Sequence, residues 1–243
     1  MRLLPTLLMA TGLAIAPLAS IAQDLTDERI KELALQAIRE NPQIIMDAAR
    51  LLEAQRNAAQ SQAQAAIVER ERDILERDPN APVLGNPDGD VTVVEFFDYN
   101  CPYCKRAMAE VQGLLEGDEN VRLVYREWPI LGDGSVFAAK AALAAREQGK
   151  YEEFHWALMG MQERADEASV MRIATDIGLD VERLVADMDT AEIEEHIATS
   201  MRLTQALGFN GTPSFVIGDN LVPGFVEEEQ LRTIVEKVRE AAE

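Results

Sequence analysis

Two cysteines, and only two, occur in 243 residues, and their placement constrains the chain more than any other feature. They stand as Cys101-Pro102-Tyr103-Cys104, between an apolar run of strand character (Val91, Val93, Val94, Phe96, Phe97) and a stretch that reads as an amphipathic helix through Met108, Val111, Leu114 and Leu115. A helix start presents unpaired backbone N–H groups and a partial positive charge, and both favour a thiolate over a thiol. A free cysteine titrates near roughly 8.5, and such a position brings it to about 3.5–7.5. Cys101 is therefore the expected attacking thiolate. Pro102 suits the first helical position, where its missing N–H matters little, so the N–H groups of Tyr103 and Cys104 remain available to the sulfur of Cys101. Cys104, one turn further in, is the expected shielded, resolving thiol.

Other uses of the pair are weaker readings. A structural disulfide across two residues closes a very small loop and removes little entropy from the unfolded chain. A zinc site needs about four ligands, and the two histidines, His155 and His196, lie far along the sequence in helical stretches where a structural or solvated role is the plain reading. A two-coordinate Cu(I) site on the reduced dithiol stays open as a secondary property. No metal and no cofactor is expected beyond the redox-active Cys101–Cys104 disulfide.

The chain opens with a single charge, Arg2, then a mostly apolar run from Leu3 to Ala19 and the small-residue pattern Ser20-Ile21-Ala22. This reads as a cleavable secretory signal over residues 1–22, which places the mature chain in an oxidising compartment, the periplasm. An uncleaved anchor is the alternative for so long an apolar run; Pro5, Pro17 and the small residues before Gln23 argue for cleavage. Asp and Glu number 43 against 23 Lys and Arg, a formal net charge of −20. That balance excludes a nucleic-acid partner, disfavours anionic membrane surfaces, and is most simply a solubility feature.

Residues 23–80 read as a helical stalk and linker. From Asp24 to Asp78 there is no glycine and no aromatic residue, and Ala, Gln, Glu and Arg dominate, a composition that favours helix but cannot build a core of its own. One helix is expected to start with Thr26 as N-cap, with Ile30, Leu33, Ala37 and Ile38 on one face. A second starts at Asn41-Pro42, with Ile45, Ala48 and Leu52 continuing the stripe. Between Ala54 and Ala66 nothing apolar is bulkier than alanine, so this part reads as an exposed rod or spacer. The stripes need a partner surface, either the same stripes in another copy of the chain or the chain's own domain.

Pro79, Pro82, Gly85, Pro87 and Gly89 then mark a linker and turn region, and a domain is expected over residues 81–243. Strands are expected at 91–97, at Val121–Trp128, at Ser214–Ile217 and at Leu221–Val222. A helical block of about seventy residues (135–207) lies between the second and third strands, and a helix from Glu227 to Glu240 closes the chain. The reading is a β-α-β unit and a β-β-α unit with helices inserted between them.

Three segments carry a resemblance: Val94-Glu95-Phe96-Phe97-Asp98-Tyr99-Asn100-Cys101-Pro102-Tyr103-Cys104-Lys105, then Tyr125-Arg126-Glu127-Trp128-Pro129-Ile130-Leu131-Gly132, then Gly211-Thr212-Pro213-Ser214-Phe215. Over residues 82–243 the chain resembles the DsbA family of secreted thiol:disulfide oxidoreductases, and the added N-terminal helices make it similar to the ScsC-like branch. The resemblance implies an α/β chain, a thioredoxin fold with an inserted helical domain preceded by an all-α N-terminal stalk. It implies that Cys101 is the nucleophile and Cys104 the resolving cysteine. Glu95 matches a buried acid beneath the disulfide, and a carboxylate inside an otherwise apolar strand points the same way, with a raised pKa suited to shuttling the proton of Cys104; a strand-edge residue facing water is the alternative. Thr212-Pro213 matches a loop whose cis-proline faces the active site and whose backbone pairs with an extended substrate segment. Pro102-Tyr103, which tunes the redox chemistry, is neither the Pro-His of the family's strong oxidases nor the Gly-Tyr common in isomerases and ScsC-like proteins, so both directions of exchange stay open.

The implied partners are secreted proteins with cysteines, unfolded or misfolded, a membrane protein that resets the cysteines, and further copies of the chain in a homo-oligomer, a trimer being one form. The competing class is a copper-binding or holdase module that uses the reduced dithiol as ligands.

Overall fold

The computed structural model describes residues 26–242; the expected signal over residues 1–22 lies outside them. Two compact units divide the chain, one ending at Arg56 and the other running from Asn57. In the first, α1 (Asp27–Glu40) is capped by Thr26, whose side chain accepts from the N–H of Arg29. α2 (Gln43–Arg77) follows, with the N–H of Ile44 reaching the carbonyl of Asn41. α1 buries no residue. Ile30, Leu33, Leu35, Ile45, Leu51 and Leu52 are each between 40% and 59% exposed.

The second unit is built on a five-stranded sheet of order β1-β3-β2-β4-β5. Its strands are β1 (Val83–Gly85), β2 (Val91–Phe97), β3 (Val121–Glu127), β4 (Ser214–Ile217) and β5 (Asn220–Pro223). β2 and β3 are parallel, joined through α3 (Pro102–Gly117), and every other neighbouring pair is antiparallel. Both central strands are buried along their whole length, so each alternates between two covered faces. On one face Val93 and Phe97 join Leu123 and Tyr125 in a core with α3, the inserted helices and α9 (Glu228–Ala242). The insertion comprises α4 (Asp133–Ala144), a 3-10 turn (Ala145–Gln148), α5 (Tyr151–Met159), α6 (Glu167–Asp176), α7 (Val181–Asp187) and α8 (Ala191–Leu207).

The other face carries Val94, Phe96, Val124 and Val216, covered by Leu203 and Leu207 of α8 and by Val68 and Leu75 of α2. Here the structure differs from the sequence reading, which ended the helical stalk at residue 80: residues 57–77 of α2 belong to the sheet-containing unit. The reason is local. Val68 and Leu75 are one turn-pair apart and fully buried. Two arginines of β3 also fix the end of the helix, whose last carbonyls lack helical partners. Arg122 donates to the Glu76 carbonyl, and Arg126 donates to the Ile74 carbonyl while pairing with Asp78 at 2.7 Å. The segment read as a linker also contains β1, paired with β3 through Val83–Val124 and Gly85–Arg122.

Candidate active site

Cys101 is the N-cap of α3, and Pro102 opens the helix. β2 delivers the chain to this point, and a polar anchor fixes the turn between them. The Asp98 carboxylate is buried and accepts from the N–H groups of Asn100 (2.7 Å), Ile130 (2.8 Å) and Leu131 (2.9 Å) and from the Ser135 hydroxyl (2.7 Å). The Asn100 amide donates to Ser135 Oγ and the Ala165 carbonyl and accepts from the Ala165 N–H. These bonds tie the residues before Cys101 to the helical insertion. Lys105 reinforces the link from the other side, donating to the carbonyls of Met161 and Glu163.

Both cysteines are free thiols, with 5% exposure at Cys101 and 1% at Cys104, so Cys101 is the one within reach of solvent. The Cys101 thiol is pulled down to about 6 by a hydrogen bond from Cys104, against the desolvation of burial, with further donation from the Thr212 side chain and the N–H groups of Cys104 and Tyr103. One contact opposes this: Cys101 Sγ lies 3.2 Å from the Thr212 carbonyl oxygen, an acceptor that favours the protonated thiol. The donors outnumber it. Burial pushes the Cys104 thiol well up, and its bond to Cys101 and the charge of Glu95 add to that. The two sulfurs are thus driven apart in acidity, one poised as thiolate near neutral pH and the other held as thiol.

Glu95 is 2% exposed and pairs in register with Tyr125 on β3 and Phe215 on β4. It faces the protein interior rather than water. Desolvation, and then the negative charge at Cys101, push its carboxyl up to about 8. A group of that acidity can exchange a proton with a neighbouring thiol at neutral pH.

The peptide bond Thr212–Pro213 is cis, and its loop, between α8 and β4, lies against Cys101. Pro213 is buried and Thr212 half-buried, and the Pro213 carbonyl accepts from the N–H of Gly224. Tyr103 is 54% exposed, beside Arg106, whose guanidinium lies 5.8 Å from the Tyr103 ring and 4.4 Å from that of Phe225. Cys101, Pro102, Tyr103, Cys104, Glu95, Thr212 and Pro213 therefore meet at one end of the sheet. Asp98 and Asn100 were not assigned roles from sequence. The available signal was their position, two polar residues between a buried strand and the cysteine.

The histidines are core residues. His155 accepts or donates at 3.1 Å with the Tyr99 hydroxyl, and desolvation lowers it to about 3, so it is neutral. His196 Nε2 lies 2.6 Å from Glu127, whose other carboxylate oxygen accepts from Tyr151 at 2.6 Å. Against desolvation, His196 and Tyr151 hold the Glu127 carboxyl below its ordinary range. Among the described residues no group of three or more His, Cys, Asp or Glu is placed to hold a metal ion.

A family model described as a DSBA-like thioredoxin domain matches residues 92–236. Among solved structures, a thioredoxin-like oxidoreductase from Silicibacter pomeroyi is 70% identical, with a TM-score of 0.69 over 70% of this chain and 98% of that one. The thiol-disulfide exchange protein alpha-DsbA2 from Wolbachia pipientis is 30% identical, with a TM-score of 0.69 over 74% of this chain and 98% of that one. A linker-deletion mutant of Proteus mirabilis ScsC is 25% identical, with a TM-score of 0.69 over 93% of this chain and 100% of that one. The first curated sequence relatives are Na(+)/H(+) antiporters NhaA; that of Salinispora tropica is 33% identical over 70% of this chain and 26% of its own length. The chain thus spans about a quarter of the length of those relatives.

Proposed function

The chain belongs to the family of DsbA-like thioredoxin domains, and on that premise we propose that it is a thiol:disulfide exchange enzyme acting on cysteines of exported proteins. The observation that carries the reading is the divergence of the two sulfurs, with Cys101 lowered to about 6 at the helix start and Cys104 raised behind it. A nucleophile and a resolving thiol need that difference.

In the oxidising direction a client thiolate attacks Cys101 Sγ of the Cys101–Cys104 disulfide. The Cys101–client bond forms as the intramolecular S–S bond breaks, and Cys104 leaves with the electron pair and takes up a proton, for which Glu95 is the buried donor. A second client thiolate then attacks the client sulfur of the mixed disulfide and releases Cys101 as thiolate. In the reverse direction the Cys101 thiolate attacks a client disulfide. Glu95 accepts the proton of Cys104, which attacks Cys101 and frees the client if rearrangement stalls. A lowered Cys101 is the better leaving group in the oxidising direction, and in the reverse direction it is already a thiolate when it attacks. Pro102 and Tyr103 sit where the dipeptide tunes that poise, and the Thr212 backbone is the strand-like edge for the client.

The exposed apolar residues of α1 and the first part of α2 support a homo-oligomer joined through these helices. Several active sites on one assembly raise the local concentration around one misfolded client, which favours disulfide isomerisation, with a membrane electron donor keeping Cys101 reduced. The apolar start of the sequence supports export to the periplasm.

The test of the exchange reading is catalysed turnover of a synthetic disulfide-bonded peptide by the full chain, abolished by Cys101→Ser; turnover that survives the substitution would refute it. Light scattering tests the assembly. Lysine at Leu33 and Ile45 is expected to lower the mass to that of a monomer, and a monomeric parent would refute the oligomer.

A further inference from the structure

Beside the Thr212–Pro213 loop lies a cavity of about 620 Å³, walled on one side by Gln60 and Gln64 of α2 and on the other by the segment from Gly208 to Thr212. It adjoins the reacting sulfur through Thr212, which lines it and holds its carbonyl 3.2 Å from Cys101 Sγ. None of its lining residues is charged, although 27% of the chain's residues are.

Three glycines border the cavity, Gly208, Gly211 and Gly224, and a Cβ on any of them would meet nothing within 4 Å. Gly208 and Gly224 have φ of +73° and +88°, conformations that call for glycine. Gly211 is not among the residues of positive φ. Its missing side chain leaves room along the wall without relieving the backbone. Phe209 and Leu221 supply the apolar surface.

The glutamines have the spacing of an extended chain. Residues four apart on a helix share a face and are separated by about 6 Å along its axis. An extended polypeptide repeats every two residues in roughly 6.6 Å. Each amide offers both donors and an acceptor, so the pair can bond successive backbone groups on one side of such a segment whatever its sequence.

We propose that this cavity is a subsite for the client polypeptide. An extended segment next to the reacting cysteine lies between α2 and the Gly208–Thr212 loop, its backbone held by Gln60 and Gln64 and its apolar side chains against Phe209 and Leu221. The proposal rests on the exchange reaction above and adds to it a binding element from the helix that precedes the catalytic sheet. Neutral amides and an uncharged wall read the backbone rather than a particular sequence, as clients of differing sequence require.

The test compares two disulfide substrates of the full chain: a ten-residue cysteine peptide carried as its mixed disulfide with glutathione, and oxidised glutathione itself. With Gln60 and Gln64 both replaced by Ala, KM for the peptide is expected to rise about five- to tenfold with kcat retained, the effect of losing one or two modest hydrogen bonds. Gly211→Val, which fills the wall, is expected to do the same. Exchange with oxidised glutathione, which has no extended polypeptide segment to lie between the glutamines and the loop, should match the parent. An unchanged peptide KM in both variants would overturn the proposal, as would an equal loss with oxidised glutathione, which would mean that the cysteine site itself had been disturbed. A parent chain that exchanges with neither substrate would instead overturn the exchange reading, and the subsite with it.

Discussion

The Thr212 carbonyl oxygen lies 3.2 Å from Cys101 Sγ, across 111 residues of sequence. An acceptor so close would favour a protonated thiol, so the lowered pKa of Cys101 has to come from the donors around it, Cys104 first. The rate of Cys101 alkylation by iodoacetamide is therefore expected to rise with pH through a midpoint near 6. Cys104→Ala removes the leading donor and should move that midpoint up by about half a unit to one unit, the worth of one hydrogen bond. An unmoved midpoint would assign the effect to the helix start alone.

Glu95 makes stability fall with pH. Its folded carboxyl titrates at about 8 against an ordinary value of 4.5, so between those values the folded chain keeps a proton that the unfolded chain has released. The associated stability is complete below about pH 4.5 and lost as pH climbs through 8. In a background with both cysteines replaced by Ser, where the Cys101 charge is gone and desolvation alone holds the carboxyl up, denaturant melts should lose on the order of a few kcal/mol as pH rises above the ordinary carboxyl range. Glu95→Gln should flatten the profile. A flat profile in the Glu95 protein would contradict the buried, neutral carboxyl.

Asp98 accepts from four donors at the turn before Cys101. Asp98→Ala strands them away from water and is expected to cost about 3–5 kcal/mol in denaturant melts. A loss below about 1 kcal/mol would mean that the turn is held by Asn100 and the helix instead.

The later part of α2 is expected to stabilise the sheet. A chain starting at Ala81 loses the burial of Val68 and Leu75, about 1.5–3 kcal/mol for each, and leaves the buried Arg126 without Asp78. It should melt well below a chain starting at Asn57. Equal melting temperatures would contradict the assignment of residues 57–77 to the sheet-containing unit.

Much of the fold follows from short-range patterns in the sequence. β2 and β3 are buried runs flanked by turn residues, and both ends of β2 match the expected strand at 91–97. The Cys-Pro-x-Cys helix start is visible because proline and thiol chemistry both require it. The setting of Glu95 is legible for a similar reason, since a lone acid in an apolar strand has few explanations. What the sequence hid depends on contacts between distant residues. Between Ala54 and Ala66 the helix α2 offers nothing apolar bulkier than alanine and reads as an exposed rod. It is the burial of Val68 and Leu75, with Arg122 and Arg126 reaching the carbonyls of Glu76 and Ile74, that shows where it stops being a stalk. β1 is three residues among prolines and glycines, and the sheet edge of β3 makes it a strand. Asp98 gave no local cue because three of its four donors come from residues 32 to 37 positions away.

The most direct test of the account is to trap the mixed disulfide. The full chain carrying Cys104→Ser, incubated with a client holding a disulfide and then acid-quenched, should yield a covalent adduct whose mass is the sum of the two chains. The adduct should be mapped to Cys101 by peptide mass, released by dithiothreitol, and absent when Cys101 is also replaced. A Cys104→Ser protein whose Cys101 alkylates normally yet forms no adduct with any disulfide client would contradict the assignment of this site to thiol–disulfide exchange.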